Sequence, residues 1–199
     1  MPLFLTIRFF LCSFQLFSQE IIEDLAEKKL NVNIKQAKFE IIKPKDWKAR
    51  VHNDYRTVEY ESDTTIIHHM LMIEMFKDQL NDFENGGILI EVKTLEKGTY
   101  SLKAIVDRHI LNYEQEFGPF AITDIAIAHQ KYPCISKLYE AQRRTTDFKL
   151  YNVFLDPGTD YKYFVLVSLL SSHGGRLATP QDLAMIKTLV ESIKADSKK

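Results

Sequence analysis

The chain has 199 residues, 45% of them hydrophobic, with 26 Lys and Arg against 27 Asp and Glu and a net charge of -1. That length suits one domain with a sizeable core. The near-neutral balance carries no electrostatic footprint for nucleic acid and sets that partner class aside.

Met1–Gln19 (MPLFLTIRFFLCSFQLFSQ) reads as an export signal. Arg8 is its one charge, an apolar run covers Phe9 to Phe17, and the polar pair Ser18-Gln19 precedes Glu20. The run is too short to span a bilayer, which takes about 20 residues, and it fits the core of a secretory signal. Arg8 inside the apolar stretch and the Phe17-Ser18-Gln19 junction depart from the ideal, so a buried N-terminal helix is the competing reading. A lipidated Cys12 is a poorer fit, because Phe10-Leu11 are not the small residues that precede such a cysteine. Cleavage after Gln19 leaves no membrane-spanning stretch, changes the net charge from -1 to -2 by removing Arg8, and leaves Cys134 as the one thiol. A lone thiol makes no intrachain disulfide, so the core must hold this domain together.

Residues 20–37 are expected to form a helical lead-in, with Glu20–Leu30 (EIIEDLAEKKL) as a short amphipathic helix broken by Asn31 and Asn33. The main domain then runs over residues 38–199. Lys38–Ile42 (KFEII) is a strand stopped by Pro44. Thr57–Glu61 is a strand candidate, while Thr64–Phe76 is apolar without a clean period, so strand and helix compete there. Gly86-Gly87 marks a turn, Ile88–Val92 a strand, and Lys97-Gly98 its end. Leu102, Ile105, Val106, His109, Ile110 and Tyr113 form one face of an α-helix, with Thr99 as the expected cap and Gly118-Pro119 as the stop. Four strands follow: Phe120–Ala128, Cys134–Gln142, Phe148–Leu155 and Tyr161–Leu170. Asp156-Pro157-Gly158 supplies a type II turn between the last two. Short turns predict an antiparallel meander. Leu183, Ile186, Leu189, Val190 and Ile193 make a closing helical stripe, with Thr179 as cap, Pro180 at the first position and Asp182 in the first turn. Phe164–Leu170 (FVLVSLL) is apolar on both faces and needs cover on both sides, which two amphipathic helices can supply. The expected fold is α/β, or α+β: a three-layer α/β/α sandwich around a mostly antiparallel sheet.

The stretch F-E-I-I-x-P-x-D-W at Phe39–Trp47, the order of elements after it and the closing V-E-S-I-K at Val190–Lys194 resemble the PsbP-like/Mog-like fold family. That family includes bacterial exported proteins of the DcrB type. The resemblance covers roughly residues 38–194, with an apolar insert at Thr64–Asp82 as a departure. It implies binding or accessory roles rather than catalysis, and brings no catalytic signature to carry over.

Candidate sites are few. His68-His69 invites a metal, but adjacent residues point to opposite faces of a strand, or about 100° apart on a helix, and neither Asp63 nor Glu74 completes a ligand spacing. His52 and Asp54 sit at i and i+2 within a polar loop-like stretch. Cys134 has His129 and Asp124 upstream, yet it heads an apolar strand after Pro133 and reads as a small buried hydrophobe. Ser171–Arg176 offers the best ligand candidate: His173, Gly174, Gly175 and Arg176 lie before a capped helix, where Gly admits close approach of an anion and Arg can clamp it. A plain connector explains the same loop. Tyr132, Tyr139, Tyr151, Tyr161, Tyr163 and Trp47 would mark a partner interface if they lined one exposed patch. No catalytic residue, cofactor site or metal site is assigned. The expected function is an exported, periplasmic or secreted, non-enzymatic accessory domain with a protein partner. The alternative is a hydrolase-like or metal-dependent enzyme whose site assembles only in three dimensions.

Overall fold

The computed structural model describes residues 19–34, 37–52, 57–59, 66–76, 87–95, 101–143, 146–157, 163–171 and 179–195. The first part of the chain forms seven strands: β1 (Gln19–Ile22), β2 (Lys28–Ile34), β3 (Ala37–Lys43), β4 (Lys48–His52), β5 (Thr57–Glu59), β6 (Ile66–Phe76) and β7 (Ile88–Leu95). Helix α1 (Leu102–Phe117) follows, then β8 (Ala121–Asp124), β9 (Cys134–Arg143), β10 (Thr146–Leu155) and β11 (Tyr163–Ser171). Helix α2 (Pro180–Ser192) and β12 (Lys194–Ala195) close the described chain. Among the described residues the fold is mixed α/β and mostly sheet, with every strand pair antiparallel.

A nine-stranded sheet runs β1-β4-β6-β7-β11-β10-β9-β8, with β5 beside β4 along the same edge of β6. A three-stranded sheet has the order β12-β3-β2. The predicted meander is present as β8 to β11. The expected helix at Glu20–Leu30 is not: Ile21 and Ile22 pair with β4, and Leu30 already lies in β2. Leu30 and Val32 are buried while Asn31 and Asn33 are exposed, a period of two that suits a half-buried strand and overrides the weak helical spacing. Between the two strands, Asp24 Oδ1 accepts the Ala26 N–H at 2.9 Å and turns the chain. Within the ambiguous stretch Thr64–Phe76, the described residues Ile66–Phe76 form strand β6, with Leu71, Ile73 and Met75 buried in alternation.

The residues of β11 divide by parity. Val165, Val167 and Leu169 join the larger core with Phe39 and Ile41 of β3 and Ile186, Leu189, Val190 and Ile193 of or just beyond α2. Phe164 and Leu166 join Phe154 and the Leu102, Ile105 and Val106 stripe of α1. Tyr139, Leu150 and Leu170 extend that second face. Helix α1 starts at Ser101, whose side chain accepts the Ala104 N–H, rather than at Thr99, which lies outside the described residues. It stops at Gly118, whose φ of 84° is open to glycine and whose N–H bonds Glu114 O at 2.9 Å. Helix α2 has the expected start: Thr179 Oγ1 accepts from Asp182 N, and Asp182 Oδ2 accepts from Thr179 N. Leu183 is only partly buried, and α2 rests on β3 as well as on β11.

Lys43, in the middle of the Phe39–Trp47 motif, is fully buried. Its ammonium donates to Ala26 O at 2.9 Å, Pro44 O at 3.1 Å and Trp47 O at 2.6 Å. Three carbonyls replace its water shell, which is what makes a buried charge tolerable. Burial lowers its pKa, while Asp24 and Asp46 oppose that effect. The lysine thereby ties the β1–β2 turn to the β3–β4 turn. Asp46 adds a second tie through its N–H to Leu25 O at 2.8 Å.

Candidate functional site

The nine-stranded sheet is apolar on both faces beneath α1, but not across β4, β6 and β7. There one parity (Ala49, Leu71, Ile73, Met75, Ile88, Ile90, Val92) enters the larger core. The opposite parity carries Arg50 and His52 on β4, Met72 and Glu74 on β6, and Glu91 and Lys93 on β7. Register aligns these side chains in rows. His52 pairs with Met72, which pairs with Glu91, while Arg50 pairs with Glu74. Directly opposed residues have Cβ atoms about 4.5–5.5 Å apart, within reach of one another.

Glu74 is the hub. Its Oε2 lies 3.0 Å from His52 Nε2 and 3.4 Å from Arg50 Nη1. The Arg50 guanidinium also sits 5.4 Å from the centroid of Phe76. Lys93 Nζ approaches Glu91 Oε1 at 3.3 Å on the same strand. These side chains are half-buried: His52 and Glu74 are each 17% exposed, and Lys93 is 11%. A sheet face that holds imidazole, carboxylate, guanidinium and thioether at this depth is equipped to recognise a ligand, because partial desolvation strengthens each polar contact.

The sequence singled out other residues. His173, Gly174, Gly175 and Arg176, together with Met1–Ser18 and Asp54, lie outside the described residues. His68 and His69 take successive places in β6, opposite Thr94 and Lys93 of β7. Among the described residues no group of three or more His, Cys, Asp or Glu is arranged to hold a metal.

Cys134 and His129 do not form a dyad. Both His129 nitrogens are committed: Nδ1 accepts the Lys131 and Tyr132 N–H groups at 3.0 and 3.1 Å, and Nε2 donates to Ile193 O at 3.1 Å. Burial pushes the Cys134 thiol above its ordinary pKa, against smaller lowering effects from Ser136 and the His129 backbone. A thiol so placed lacks both the base and the depressed pKa that nucleophilic attack requires. A cavity of about 500 Å³ opens beside His129, Lys131, Tyr132, Glu191 and Lys194, but the Tyr132 hydroxyl is occupied by the Ala195 N–H at 3.1 Å.

Among the described residues, the aromatic side chains that the sequence singled out do not make an exposed patch. Trp47, Tyr132, Tyr139 and Tyr163 are buried, Tyr151 packs against the larger core, and Tyr161 lies outside the described residues. His109 is where its helical spacing put it, on the sheet side of α1. Its Nδ1 is 3.0 Å from Tyr139 Oη, and its ring stacks on Tyr113 and meets Phe154 edge-on. Below it, Ser168 Oγ donates to the buried Asn152 Oδ1 at 2.6 Å. Sequence reading missed the Glu74 hub, because Arg50, His52 and Glu74 are 24 and 22 residues apart and meet only through the β4–β6 register.

No helix among the described residues is long and apolar enough to cross a membrane. Comparison with protein-family models, curated proteins and solved structures finds no match for this chain.

Proposed function

We propose that this chain is an exported, non-enzymatic accessory or binding domain of the PsbP-like type, acting on a partner in the periplasm or cell envelope. Three features support the reading. Met1–Gln19 has the make-up of a secretory signal. The two helices draw on opposite parities of β11, as an α/β/α layering around an antiparallel sheet requires. The observation that carries most weight is the fate of the reactive groups. Cys134 is partly buried with a raised pKa, His129 spends both nitrogens on the backbone, and His109 is stacked between aromatics. Half-buried polar chemistry is instead gathered on the β4–β6–β7 face, which we take as the binding surface.

The test joins localisation to contact. The full chain with a C-terminal tag should be recovered from the periplasm with its N-terminus near Glu20. A photo-crosslinker placed at Arg50 should give a discrete adduct that one at Lys103, on α1, does not. Recovery of intact Met1 in the cytoplasm would overturn the export reading. A hydrolytic activity abolished by Cys134→Ala would replace binding with catalysis.

A further inference from the structure

We propose that the β4–β6 face holds a soft monovalent metal ion, Cu(I), with His52 Nδ1 and Met72 Sδ as its donors. The inference rests on reading this face as a binding surface, and not on export.

The first support is composition. His68–Met75 (HHMLMIEM) holds three of the chain's five methionines and two of its six histidines. Met75 is fully buried in the core and unavailable. Met72, three residues earlier on the opposite parity, is half-buried and shares its row with His52. Thioether sulfur is a weak donor to hard ions and a good one to Cu(I), so a His–Met pair selects by softness where a His–carboxylate set would select Zn(II).

The second support is the way His52 is held. A metal-binding histidine generally gives its other ring N–H to a carboxylate, which fixes the tautomer and the ring orientation. His52 has that partner in Glu74 at 3.0 Å, and Glu74 is in turn held by Arg50 at 3.4 Å. With the proton on Nε2, the Nδ1 lone pair is the free donor, and among the described residues no hydrogen bond is made to it. Glu74 is therefore a positioning residue and not a ligand.

Charge is the third support. Arg50 offsets Glu74 and Lys93 offsets Glu91, so the face has no surplus of carboxylate to attract a divalent ion. A singly charged ion bound by two neutral donors needs none.

Anaerobic titration of the purified full chain with Cu(I), in competition with a chromophoric Cu(I) chelator, tests the proposal. One tight equivalent is expected, with a shift of the Met72 methyl resonance in a methionine-labelled sample. Met72→Leu keeps the apolar volume and removes the sulfur, and should weaken binding at least tenfold with unchanged circular dichroism. His52→Ala should do the same. Glu74→Gln should weaken binding by roughly 10–100-fold, as losses behind a metal ligand do, while Met185→Leu leaves it unchanged. Failure to compete with the chelator overturns the site. So does binding that survives both Met72→Leu and His52→Ala, or Zn(II) binding of equal strength. The crosslinking at Arg50 uses no metal, so a failure there and a failure here are told apart.

Discussion

Replacing Ile186 by Ala should unfold the domain more readily than any other single truncation on α2. Ile186 is fully buried and belongs to the larger core with Leu189, Val190 and the β11 residues Val165 and Val167. The change removes about three carbon groups, each worth about 0.8 kcal/mol on transfer from water. The cavity left behind adds to that transfer loss, because a packed interior collapses only in part. Together they give a loss of about 3–4 kcal/mol, inside the usual range of roughly 2–5 kcal/mol for such truncations. Urea denaturation followed by far-ultraviolet circular dichroism, at constant m value, measures it. In a heating experiment the same loss should lower Tm by roughly 6–16 °C for a chain of this size. Lys187 is exposed on the next position of the helix, so Lys187→Ala should stay within about 0.5 kcal/mol of the parent. Midpoints that move equally in the two variants would refute the docking of α2 against β3 and β11.

Lys43→Met keeps the aliphatic stem but orphans three carbonyls, and should cost roughly 2–4 kcal/mol in the same urea assay; a neutral outcome would mean that the ammonium does not tie the two turns together. Tyr113 has its pKa pushed up to about 12, chiefly by burial and then by Glu91 and Glu116, and burial also raises Tyr139. The unfolded chain releases these protons near the ordinary value of 10.0 while the folded chain keeps them, so stability should be level below pH 10 and fall as pH rises toward 12. Absorbance titration at alkaline pH should show a late-ionising component that Tyr113→Phe reduces, and simultaneous ionisation of every tyrosine in the folded protein would count against it. In a Cys12→Ser background, Cys134 should react with a disulfide reagent far more slowly in the native protein than in urea; equal rates would contradict its raised pKa.

The legibility of the sequence follows the range of the forces involved. Helix α2 was readable because its signals are local: Thr179, Pro180 and Asp182 lie within four residues, and Thr179 and Asp182 satisfy each other. The meander from β8 to β11 was readable because its short connections force neighbours to pair. Strand β1 was not, since it is an edge strand held by β4 across almost thirty residues, and its own residues carry no periodic signal. Strand β6 hid for a different reason. A register shift between His69 and Leu71 inserts an extra residue, so the alternation on one side of it is out of phase with the other. A search for one unbroken period of two fails across such a bulge, although Leu71, Ile73 and Met75 beyond it are buried in alternation.

The same physics explains why the candidate face escaped notice while the core did not. A core residue announces itself by being apolar, whatever it later touches. A polar site is defined by the pairing of its members, and here that pairing is the β4–β6 register. Moving β4 by one residue would turn Arg50 and His52 into the core and bring Ala49 and Val51 out. The apolar demand of the core therefore fixes the register, and the register then brings His52, Arg50 and Glu74 together at no further cost in specification. Ala49, buried beneath this face, is as much a determinant of the Glu74 hub as the charged residues themselves. A bulky residue at that position would displace β4 from β6 and disperse the cluster without altering any of its members.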